Sequence, residues 1–101
     1  MLKRNRRPTS PGVILKKYYM EPRGLTVTKL ATTTGLSRKH ISKIVNGSAG
    51  ISPEAAVRFA AVLETTPAFW GNLQGAVNLY DAKRKLKSWR PREILLAVAN
   101  A

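Results

Sequence analysis

The apolar positions of this chain recur at helical spacing, in stretches set apart by glycine and by Ser-Pro or Thr-Pro pairs. Ser10-Pro11 places a capping residue before a proline at the first helical position, which predicts a helix from Pro11 to about Met20. Ile14, Leu15 and Tyr18 are expected to face inward, and Pro22 and Gly24 to break the helix. Thr26 then caps a helix over Val27 to Thr34 with Leu30 and Ala31 on one face. Ser37 caps the next, Arg38 to Val45, in which Ile41, Ile44 and Val45 share a side, and Asn46 and Gly47 close it. Ser52-Pro53-Glu54 opens a fourth helix reaching Leu63, with Ala56, Phe59, Ala60 and Leu63 on its packed stripe. Thr66-Pro67 opens a fifth that reaches Lys83 or beyond, with Phe69, Trp70, Leu73, Val77 and Tyr80 in helical register.

The second and third of these helices are joined by a glycine elbow. Ala31 is small enough for a close crossing, Gly35 supplies the sharp turn, and Leu36 plugs the corner. Ile41 and Ile44 hold the third helix against the body, leaving Arg38, Lys39, Ser42 and Lys43 on the opposite side. This is the pattern of a helix-turn-helix unit, whose second helix enters the DNA major groove; an ordinary helical hairpin with a solvated basic face is the alternative on this stretch alone. No Asp or Glu stands between Glu21 and Glu54, so the outward face carries no acid of its own.

Charge agrees with that pattern. The 101 residues hold 18 Lys+Arg against 5 Asp+Glu, a formal +13, which favours a polyanionic partner: nucleic acid first, an anionic membrane surface second. Four cations lie in the first nine residues, Lys3, Arg4, Arg6 and Arg7, a basic arm best read as a solvated tail that adds DNA affinity through charge. Lys83, Arg84, Lys85 and Lys87 form a second cluster, which Trp89, Arg90 and Arg92 extend. Pro91 can start a last short helix in which Ile94, Leu95 and Val98 make an apolar strip. Gly71 and Gly75, four apart in the fifth helix, form a flat patch suited either to a dimer contact or to packing within one subunit. With 44% hydrophobic residues, the chain is expected to fold as one domain with a modest core.

Catalysis has little to stand on. The one histidine, His40, lies in the basic helix, and a Ser37–His40 pairing lacks an orienting acid and a pocket. The carboxylates Glu21, Glu54, Glu64, Asp81 and Glu93 are scattered. With no cysteine and no acidic cluster, no metal or cofactor is expected. The longest apolar run, Ile94 to Ala99, is too short to cross a bilayer, and the basic start lacks a signal peptide's apolar segment. A soluble, cytoplasmic, non-enzymatic protein is expected.

The central stretch resembles the helix-turn-helix of lambda-repressor-like (XRE-type) regulators, with Ala31, Gly35, Leu36, Ile41 and Ile44 on the pattern's small, turn and core positions. RRPTSPGVIL, EPRGLTVTKLA and the ISPEAAVRFAAVLETTPAFWGNLQGAVNLYDA block together resemble the HigA-type antitoxins over roughly Arg7 to Ala82. The resemblance implies an all-α, five-helix lambda-repressor-like domain with a short C-terminal extension: a basic arm over 1–9, the helix-turn-helix domain over 10–82, and the extension over 83–101. It implies an autorepressor, commonly a homodimer on double-stranded operator DNA, that also neutralises an mRNA-cleaving toxin by direct binding. Carried onto this chain, the base-reading positions are Arg38, Lys39 and Lys43, with Ser37, His40 and Ser42 flanking; Thr28 and Lys29 lie at backbone-contact positions, and Asn46 closes the helix. A stand-alone regulator of the same fold, or a sequence-indifferent basic protein binding DNA or RNA by charge, are the alternatives.

Overall fold

A computed structural model describes residues 6–96. Helix α1 (Pro11–Ile14) runs without interruption into a π-helical stretch, Leu15–Met20, and a 3-10 turn, Glu21–Arg23. It is followed by α2 (Val27–Thr34), α3 (Arg38–Val45), α4 (Pro53–Leu63) and α5 (Pro67–Lys85), and the described residues contain no strand. All four caps expected for α2 to α5 are made. Thr26, Ser37, Ser52 and Thr66 accept from the amides of Lys29, His40, Ala55 and Phe69 through their hydroxyl oxygens. Ser10 precedes α1 without a side-chain cap; its carbonyl instead accepts from the Val13 and Ile14 amides.

The core gathers Leu15, Leu30, Ile41, Ile44, Phe59 and Trp70, all essentially inaccessible to solvent. Trp70 is its centre. Its ring meets Phe59, Phe69 and Tyr19 at centroid distances of 5.8, 4.9 and 5.3 Å, in tilted or edge-on arrangements. Its indole N–H donates to Thr65 Oγ1 at 2.7 Å, so the one polar atom of the side chain is satisfied inside. The Phe69-Trp70 pair is therefore a packing device, and truncating Trp70 to Ala should cost about 3–5 kcal/mol.

Two expectations need correction here. Tyr18 does not face inward; it is 58% exposed, and Tyr19 takes its place against the aromatic cluster. The cause is the π-helical stretch, in which the Glu21 amide reaches back five residues to the Lys16 carbonyl. A turn wider than 3.6 residues rotates Tyr19 and Met20 under Leu15 and carries Tyr18 outward. Arg23 secures this stretch, donating to the Tyr18 and Tyr19 carbonyls at 3.1 and 3.2 Å with its guanidinium 5.4 Å from the Tyr19 ring centre. The second correction concerns the C-terminal strip: residues 91–96 are not helical, and Ile94, Leu95 and Leu96 are exposed; Val98 lies outside the described residues.

The arm also differs from a free tail at its base. Arg7 reaches across to α5 and donates to both carboxylate oxygens of Asp81, at 2.8 and 2.9 Å. Lys3 and Arg4 fall outside the described residues.

Candidate nucleic-acid interface

Helix α3 is seated by its underside. Ile41 and Ile44 are buried, while Arg38, Lys39, Lys43 and Asn46 are exposed on the other side and Ser42 and His40 are half-buried at its margins. Successive positions on an α-helix are separated by about 100°, which puts Lys39, Lys43, Ser42 and Asn46 on one outward arc with Arg38 at its leading edge. Among the described residues no carboxylate and no side-chain hydrogen bond engages Arg38, Lys39 or Lys43, so their donors remain available to a ligand. Ser37 is exposed, with its hydroxyl accepting from the His40 amide at 3.0 Å. Thr28 and Lys29 are exposed in the first turn of α2.

Three supports set the height and angle of this helix. The elbow is the first. Gly35 adopts φ 81°, and its amide donates back to the Ala31 carbonyl at 2.9 Å, ending α2. Arg58 of α4 clamps the same elbow: Nη1 donates to the Thr34 carbonyl at 2.6 Å, while Nε and Nη2 hold Glu54 at 3.2 and 2.9 Å. A Cβ at Gly35 would stand 2.8 Å from Arg58 Nη1, so the glycine answers both the backbone angle and the space.

The second support is α1. A Cβ at Gly12 would run into the Ile44 carbonyl oxygen and approach its carbon to 2.8 Å. Backbone therefore meets backbone, and α1 is the stop against which the end of α3 rests. The third is Gln74 of α5. Its Oε1 accepts from the Ile51 amide at 2.8 Å and its Nε2 donates to Asn78 at 3.0 Å, pinning the segment between α3 and α4. Gly47 at φ 83° turns that segment away from the helix, and the Ser48 and Ala49 amides return to the Lys43 carbonyl.

Gly12, Arg58 and Gln74 are the supports that spacing alone does not single out, and the Arg7–Asp81 pair is a further long-range contact that it does not announce. Gly12 carried a signal, since a glycine directly after a helix-opening proline costs helical stability unless something passes close by.

The family follows from this frame and from the sequence around it. The Helix-turn-helix family model matches residues 16–70. Antitoxin HigA-1 of Vibrio cholerae is 41% identical over 85 residues, 84% of this chain and 80% of that protein. The chain belongs to the HigA-type helix-turn-helix family. Its fold superposes on the structure of antitoxin GraA with a TM-score of 0.82, at 30% identity, covering 88% of this chain and all of the other. It superposes on Pseudomonas aeruginosa antitoxin HigA with the higBA promoter at 0.81, with 28% identity over 90% of this chain and 99% of that one. The family is one of DNA-binding regulators and antitoxins, and the five-helix, all-α architecture expected from the sequence is that of its members. No described helix is long and apolar enough to cross a membrane.

Proposed function

We propose that the chain is a DNA-binding antitoxin that represses its own operon and neutralises an mRNA-cleaving toxin by direct contact, with no catalytic step of its own. The observation that carries the DNA-binding half is the outward arc of α3: cationic, free of acid, and seated by buried Ile41 and Ile44, by the backbone contact with Gly12 and by the Arg58 and Gln74 clamps on either side. A relative of the same fold has been solved with the higBA promoter, which supports DNA binding by this chain.

In this reading Arg38 makes the principal base contact, because its planar fork matches guanine O6 and N7, a pairing that discriminates by about 1–3 kcal/mol. Lys39 and Lys43 add point charges along the groove, with His40 and Ser42 at its edges. Ser37 and the free amides of the α3 start hold one phosphate, and Thr28, Lys29 and Asn46 hold others on either side. The protein works in the cytoplasm, at the nucleoid.

Two copies bind a roughly palindromic operator with half-sites about 34–36 Å apart. The face between α4 and α5 suits the contact between them. It is lined by Ala56, Val57, Ala68, Gly71 and Gly75 among others, and no charged residue contributes to it. Two chains of +13 associate at least cost where neither brings a cation. Neither glycine has a neighbouring atom within 4 Å of where a Cβ would stand, which leaves room for a second chain to approach closely.

Footprinting on the DNA upstream of the gene tests the regulatory half. Two protected half-sites one helical turn apart are expected; uniform protection at all sequences would identify a charge-only binder. Co-expression with the reading frame beside the gene tests the other half. Growth arrest by that product, relieved by this chain, is expected of an antitoxin, whereas a harmless neighbour would leave a stand-alone regulator.

A further inference from the structure

Beyond the end of α3 lies a small cleft of about 220 Å³, lined by Arg7 of the arm, Ser10 and Gly12 at the start of α1, and Ser48 and Gly50 of the segment that leads to α4, among others. Glycines draw its walls together: Gly12 rests on the Ile44 carbonyl, and a Cβ at Gly50 would stand 2.8 Å from Gln74 Nε2. Arg7 is the one charged residue that lines it, and no carboxylate does. Among the described residues the hydroxyls of Ser10 and Ser48 have no hydrogen-bond partner. Arg7 spends Nε and Nη2 on Asp81, while Nη1 meets no acceptor among the described residues. A guanidinium held along one edge by a carboxylate keeps a fixed direction and offers its remaining donors to a second anion.

We propose that this cleft holds a backbone phosphate of bound DNA, on the strand that passes the end of α3. Arg7 Nη1 and the hydroxyls of Ser10 and Ser48 donate to the phosphate oxygens, and Asp81 is a positioning residue for Arg7. The place of the cleft decides which anion it meets. The Ser48 and Ala49 amides both return to the Lys43 carbonyl, so the cleft opens directly where the cationic arc of α3 ends at Lys43 and Asn46. A strand lying along that arc carries its next phosphates past this point. The donor set fits the group: a phosphodiester brings one negative charge and two unbridged oxygens, against one guanidinium edge and two hydroxyls. The inference rests on the reading of α3 as the helix that enters DNA, and adds a contact made from outside the helix-turn-helix unit.

The test is phosphate-ethylation interference on the DNA upstream of the gene, with the native full chain and with Arg7→Ala. The native chain is expected to reject an ethyl group at one phosphate beside each half-site, and Arg7→Ala to tolerate it there while keeping the rest of the pattern. Arg7→Ala should bind that DNA about tenfold more weakly, the loss of one charge-assisted contact. Its slope of log K against log salt should fall by about 0.9 per copy. Ser10→Ala/Ser48→Ala should weaken interference at the same phosphate and leave the slope unchanged, since no charge is removed. Asp81→Asn should lose affinity although it deletes a negative charge; a gain would overturn the positioning role. A pattern shared by the native chain and Arg7→Ala would overturn the inference and leave the DNA-binding reading standing, whereas no pattern with the native chain would overturn both. Inorganic phosphate is the second arm, titrated into the ¹⁵N-labelled chain. Saturation of the Arg7 and Ser48 signals at micromolar phosphate, with ethylation interference unchanged by Arg7→Ala, would assign the cleft to a free phosphate compound instead.

Discussion

Gly12 of α1 lies against the carbonyl of Ile44 in α3, with no room for a methyl group between them. That contact is backbone on backbone, so neither side can yield by changing a rotamer. The helix expected to enter DNA thus takes its position from a glycine thirty-odd residues earlier in the chain, outside the helix-turn-helix unit itself.

Gly12→Ala is accordingly expected to destabilise the fold by about 1–3 kcal/mol, the usual range for overpacking, and to tilt or lift α3. Denaturant unfolding reads the first effect and fluorescence anisotropy on operator DNA the second. Specific binding should fall more than binding to random DNA. Equal stability and equal specificity in the variant would show that α1 does not set the helix.

Arg58 makes the next prediction. Its guanidinium spans from the Thr34 carbonyl to Glu54, and only a planar, multi-donor group does both. Arg58→Ala should cost about 1.5–3 kcal/mol, the range for a hydrogen bond with a charged partner, and Arg58→Lys should recover only part of it. Full recovery by lysine would mean that the charge, rather than the fork, is what the elbow needs.

Glu64 ends α4 at φ 57°, the left-handed region, where a side chain is strained. Glycine tolerates that angle, so Glu64→Gly should stabilise the protein by about 0.5–1 kcal/mol despite the greater entropy it lends the unfolded chain. A thermal melt that moved downward would contradict this.

The Arg7–Asp81 pair gives a pH dependence. The hydrogen bonds from Arg7 hold the Asp81 carboxyl below its ordinary range and raise the Arg7 guanidinium above its own. A carboxyl with a lowered native pKa contributes fully above its unfolded value, and that contribution disappears as pH falls through the native one. The arm should therefore stay docked at neutral pH and come away only in acid, below the usual aspartate range. Both side chains are about half exposed, so the pair should also weaken with salt. Shifts of the Arg7 Nε–H signal followed by acid titration would show this, and Asp81→Asn should abolish the transition. An Arg7 signal unmoved down to strong acid would place the arm elsewhere.

Helix spans, caps and the glycine elbow were legible in the sequence because each is a local matter. A hydroxyl precedes a proline or a helical run, and one glycine stands between two short amphipathic stretches. Tyr18 and Tyr19 were not distinguishable by spacing, since the π-helical stretch that exchanges them depends on how Leu15 and Met20 seat against the core. Arg58, Gln74 and Asp81 act on residues 23 to 74 positions away, and nothing in a neighbouring residue announces such a contact. The cationic arc of α3 was legible for the opposite reason. Its residues face solvent, so amphipathic spacing alone sorts them from the buried Ile41 and Ile44.

Reading of sequence by α3 is tested most directly by selecting binding sites from random DNA with the native chain and with Arg38→Ala. The native chain should enrich a two-half-site motif, and the variant should lose preference at one base pair per half-site, a guanine, while retaining the rest. An unchanged motif, or no motif from the native chain, would contradict the account.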